Sequence, residues 1–223
     1  MKKGCGLLFL FGLVAMILNM LPIGCNRVAV TPDPVSELIG AESMEPTFTV
    51  LLFDMDQKGI FSKEYKHRYR IIKEKAGKVV GVDTKWYNVS SSYFQQNQNN
   101  LGMEMAAKDS TGKIARTVGP PGYTNYIGNS RYGSWSGLNI DSLNTGYWYF
   151  KPEYTYIKKV LQLPTGKIYQ KDHRTARSHY LRGFIFYGII TSGGRRRYGT
   201  YSNQYRTNTY NKTWSRGGGG YGK

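Results

Sequence analysis

Apolar residues along this chain fall into one long uncharged run and several short ones, and the two kinds predict different structures. Residues 7–23, LLFLFGLVAMILNMLPI, carry no charge and follow Lys2 and Lys3, the pattern of a membrane export or anchoring segment. At seventeen residues the run stands between a signal-peptide core and a spanning helix. Residues 47–56, TFTVLLFDMD, lie between Pro46 and Lys58-Gly59 and predict a strand. Residues 65–72 alternate Tyr65, His67, Tyr69 and Ile71 with Lys66, Arg68 and Arg70, the period of a half-buried strand. Gly77 turns the chain, and residues 79–82 return as the second arm of a hairpin. Residues 90–108 predict a helix capped by Ser90, Ser91 or Ser92, with Phe94, Leu101 and Met105 on one face. A turn at 109–112, a strand at 113–118 and the breaker Gly119-Pro120-Pro121-Gly122 follow. Residues 146–156 concentrate aromatic side chains into one or two short strands. The last apolar stretch, 181–190, is too short to span a bilayer and reads as a buried strand or an interfacial segment.

Together these elements predict an α+β fold: a small antiparallel sheet with one helix, an N-terminal membrane segment and a flexible basic C-terminal tail. The expected divisions are a signal or anchor segment at 1–25, a linker at 26–41, a domain at 42–163 and a basic Tyr/Gly/Arg-rich region at 164–223. Pro32 and Pro34 predict an extended linker, since each proline disfavours helix in the residue before it. From residue 192 the sequence is too poor in apolar residues to offset chain entropy, so disorder is expected there.

Charge sharpens that division. From Tyr154 to Lys223 there are fourteen Lys and Arg against one acid, Asp172, whereas the preceding residues hold seventeen bases and thirteen acids. Arg195, Arg196, Arg197, Arg206 and Arg216 stand among Tyr198, Tyr201, Tyr205, Tyr210 and Trp214 and are the candidate anion-binding residues. Lys2 and Lys3 precede the apolar run and only Arg27 follows it before Lys58, which places the body outside the cytoplasm. The expected setting is therefore a bacterial envelope. Both cysteines, Cys5 and Cys25, lie in or at the end of the leader, so the body has no disulfide.

Three local patterns bear on chemistry. Leu21-Pro22-Ile23-Gly24-Cys25 resembles a bacterial lipoprotein processing site, with Pro22 at a position usually held by leucine; Cys25 is then either the lipid attachment residue or an ordinary residue at the helix end. Ser43-Met44-Glu45-Pro46-Thr47 resembles the motif around the nucleophilic serine of type I signal peptidases, and Arg116 to Gly122, RTVGPPG, resembles the stretch that follows their lysine base. The resemblance implies a serine peptidase using Ser43. Ala115, however, stands where that motif carries lysine, and the nearest candidate is Lys113, expected on the same strand face. His67, His173 and His179 lack the spacing of a metal site, and Asp54 with Asp56 reads as a solvated pair at a strand end.

The expectation is therefore a non-enzymatic, membrane-anchored envelope protein whose tail binds anionic lipids, surface polymers or a partner protein. Nucleic acid is the less expected polyanion, and no cofactor or metal is called for. The alternative is a serine peptidase with Ser43 as nucleophile.

Overall fold

The computed structural model describes residues 29–59, 62–136, 146–190 and 193–205. The N-terminal apolar run, Cys25, Arg206 and Arg216 lie outside the described residues. Within them, helices pack on an antiparallel sheet, and no helix is long and apolar enough to cross a membrane.

The segment expected to be an extended linker is instead partly helical. Asp33 caps α1 (Pro34–Ala41) by accepting the Ser36 N–H at 3.2 Å and the Ser36 hydroxyl at 2.7 Å. Pro34 occupies the first turn, where its fixed φ suits a helix and its missing N–H costs nothing. The helix buries Val35 and Leu38, so the folded body begins before residue 42.

Strands β1 (Phe48–Lys58), β2 (Glu64–Lys75) and β3 (Lys78–Val89) form an antiparallel meander. Ala76 and Gly77 both have positive φ, as a two-residue hairpin turn with the sheet's twist requires. The expected return arm thus extends seven residues further, as an edge strand. β4 (Glu104–Lys108) and β5 (Ile114–Ala115) complete the order β3-β2-β1-β4-β5. Covered on both faces, β1 has a near-continuous apolar sequence. Phe48, Val50 and Leu52 face a cluster with Val35, Leu38, Tyr69, Phe94 and Met105, while Leu51 faces one with Tyr126, Trp148, Ile157 and Leu161.

The helix expected over 90–108 is only α2 (Ser91–Gln96), capped by Ser90, whose hydroxyl accepts the Tyr93 N–H. Gly102 turns the chain with φ +76°, and residues 104–108 enter the sheet as β4. Only two residues of the strand expected over 113–118 pair regularly. Farther on, β6 (Gly133–Trp135) pairs with β7 (Trp148–Phe150), followed by a 3₁₀ turn (Pro152–Tyr154), α3 (Ile157–Val160) and α4 (Gln170–Leu181). The fold therefore has more than the one helix expected.

Residues 193–205, assigned to a free tail from composition, pack on the body. Tyr198, Thr200, Ser202 and Tyr205 are buried. Thr200 accepts the Leu101 N–H at 3.1 Å and donates its hydroxyl to the Gln98 carbonyl at 2.6 Å. The Tyr205 ring lies over Gly102, and its hydroxyl donates to Gln162 Oε1 at 3.1 Å. Tyrosine supplies apolar area with a polar tip that finds a partner, an effect that aliphatic content alone understates.

Candidate functional site

Ser43 occupies the tight connection between α1 and β1, where its N–H donates to the Gly40 carbonyl at 3.3 Å and the Glu45 N–H to the Glu42 carbonyl at 3.0 Å. Ser43 is exposed, and Met44 beside it is 94% exposed. Two lysines hold this turn from below. Phe48 opens β1 and stands opposite Lys73 on β2 and Lys108 on β4, which places the lysines at matching positions on the two neighbouring strands. Lys73 Nζ donates to Glu42 Oε2 at 2.6 Å and Glu45 Oε1 at 2.8 Å. These carboxylates hold the ammonium above its ordinary range. Lys108 Nζ donates to the carbonyls of Ser43 at 2.8 Å and Glu45 at 2.9 Å.

The lysine that reaches Ser43 is therefore Lys108, from the strand paired with β5. Ala115 lies opposite Ala107, and Lys113 lines a separate group of residues described next. Lys108 binds the serine's carbonyl, so the arrangement brings an amine to the residue.

RTVGPPG docks on β4 through two backbone hydrogen bonds between Glu104 and Gly119, at 2.9 and 3.0 Å. Beside it a cavity of about 270 Å³ is lined by residues that include Glu104, Lys113, Tyr123, His173, Arg177 and Phe186. Glu104 is buried; it accepts the Gly122 N–H at 3.1 Å and the Thr124 hydroxyl. Burial outweighs these bonds and pushes its carboxyl up to about 7. His173 packs against Tyr123 and Trp135 with ring centroids 5.3 and 5.4 Å away, and burial lowers its pKa.

The remaining histidines are separate. His67 is buried on β2, where desolvation pulls it down to about 3, and His179 packs against Phe184 and Phe186. Among the described residues no three His, Cys, Asp or Glu side chains form a metal-holding group. Asp54 accepts the Met55 N–H, and Asp56 pairs with Lys58 at 3.6 Å.

The three consecutive arginines diverge. Arg195 donates to Asn203 at 3.0 Å, and exposed Arg196 lies over the Tyr187 ring at 4.6 Å. Arg197 turns inward to Asp172 at 3.7 Å and to the Lys167 carbonyl. Sequence reasoning missed Lys73, Lys108 and Glu104, because strand register, which is not written locally, brings them to their positions. Comparison of the chain with family models, curated proteins and solved structures finds no match.

Proposed function

We propose that this is a membrane-tethered envelope protein of non-enzymatic role, whose basic C-terminal region engages an anionic surface. The observation that supports it is the disposition of charge. Asp172, the single acid after residue 153, is buried beside Arg197, whereas Lys171, Arg174, Arg177, Arg182 and Arg196 are exposed. An excess of exposed charge of one sign raises the local concentration of polyanions. Mass spectrometry of the N-terminus of protein recovered from membranes tests the tether: an intact leader or a lipid on Cys25 supports it. Full-length, unprocessed chain in the cytosol overturns it.

The position of Lys108 favours a second reading, a serine peptidase with Ser43 as nucleophile. A serine needs an adjacent base to attack; Lys108 Nζ reaches this turn as a donor to the Ser43 carbonyl and would have to give up its proton and turn to the hydroxyl, while Ala115 stands at the motif's lysine position. This reading expects fluorophosphonate labelling of Ser43 that is lost in Lys108→Met and kept in Lys113→Met. No labelling of the parent protein rejects it.

A further inference from the structure

We infer that the end of α4 and residues 181–190 form a surface that inserts into an anionic lipid bilayer. The inference deepens the membrane-tether proposal and rests on it. In this ten-residue stretch Leu181 is 73% exposed, Phe184 59%, Ile185 41%, Ile189 46% and Ile190 71%. Five large apolar side chains facing water from one short segment make a patch, which marks an interaction site more strongly than scattered apolar residues do. The segment is fixed to the body rather than free. Phe186 is buried, the Tyr187 hydroxyl donates to Asn100 Oδ1 at 2.7 Å, and the Tyr187 carbonyl accepts the Tyr198 N–H at 2.9 Å.

Bases stand beside the patch: Arg182 lies over the Phe184 ring, and Arg196 forms a β-bridge with Ile190 and lies over Tyr187. Arg177 lines one cavity with Leu181 and Phe184, a cavity that Asp109 and buried Glu104 also line. Lys171, Arg174 and Arg177 follow one another at three-residue spacing on α4 and are exposed, as are Arg182 and Arg196. Exposed apolar side chains with arginines beside them suit the boundary between acyl chains and anionic headgroups. A second copy would instead set bases against bases, which opposes association. A short tether would keep the body near such a surface, whichever face it presents. The Thr31 N–H donates to the Asn88 carbonyl at 2.8 Å, fixing the chain to β3. Residues 24–30 between the apolar run and this point span at most roughly 25 Å, so a tethered body stays against the bilayer.

The test uses the full chain in nanodiscs of phosphatidylcholine alone or mixed with phosphatidylglycerol, with amide hydrogen exchange read over 181–190. Exchange is expected to slow several-fold in the anionic discs and to recover with added salt. The triple substitution Phe184→Ser, Ile189→Ser and Ile190→Ser, all at exposed positions, should abolish the protection. Arg174→Gln with Arg177→Gln should return it to the level in phosphatidylcholine. Disc-bound chain with equal exchange in both lipids overturns the patch and leaves the tether standing. Protection that grows with protein concentration also overturns it, in favour of self-association. Chain that does not associate with either disc overturns both.

Discussion

Lys108 Nζ lies 2.8 Å from the Ser43 carbonyl and 2.9 Å from that of Glu45, while Lys73 holds the carboxylates of Glu42 and Glu45. The turn that carries the exposed serine is thereby braced from two strands. Lys108→Met is expected to cost about 1–2 kcal/mol, because two acceptors lose a charged donor. Ser43→Ala should stay within about 0.5 kcal/mol, its hydroxyl being at the surface. Urea denaturation of both variants checks this, and equal losses would show that the lysine does not brace the turn.

Glu104 and His67 give stability two opposing pH dependences. Glu104 titrates near 7 in the fold against 4.5 ordinarily, so it binds its proton more tightly when folded and its contribution falls as pH rises across that window. His67 titrates near 3 against 6.5, so its contribution falls as pH drops below 6.5. Each slope approaches about 1.4 kcal/mol per pH unit. Relative to the parent, Glu104→Gln should gain stability as pH climbs from 4.5 to 7, and His67→Phe should gain as pH falls from 6.5. Urea unfolding across pH measures both; parallel curves for a variant and its parent would remove that residue's contribution.

Gly102 and Tyr205 are expected to be strongly coupled. A Cβ on Gly102 would run into the Tyr205 ring, at a φ of +76°. Gly102→Ala should therefore cost about 2 kcal/mol or more from conformation and overpacking. Adding it to Tyr205→Ala should cost markedly less, since the ring it strikes is gone. An additive double-mutant cycle would mean that residues 193–205 do not dock there.

Asp33→Ala should cost about 1 kcal/mol by uncapping α1. Burial opposes ionisation of this carboxyl, but Ser36 and Arg116 together hold it below its ordinary value. Arg116 donates to Asp33 Oδ2 and to the Ser36 hydroxyl, both at 2.7 Å, tying RTVGPPG to the helix start. Thermal unfolding reads the loss, and Asp33→Asn should recover part of it.

The alternation around His67 and Tyr69 and the apolar run of β1 were legible because burial in a sheet leaves a period in the sequence. β3 was cut short because it is an edge strand, with Val82 and Trp86 exposed and Asp83 and Lys85 in between. Phe94, Leu101 and Met105 do meet in one cluster, as their spacing suggested, yet they reach it from a short helix, a loop and a strand. Three residues that share a destination can mimic one helical face. The serine turn was visible in SMEPT, whereas its amine was not. Lys108 arrives because Phe48 pairs with it across sixty positions of chain, a register that local pattern does not encode.

The clasp of Thr200 and Tyr205 on the loop before β4 sets an order of events during synthesis. Leu101 and Gly102 await partners made about a hundred residues later, a sequence separation that slows folding. A growing polypeptide of this design leaves that seam unsealed until residues 200–205 have been made, so a chain stopped ahead of Thr200 would lack a closure rather than an ornament.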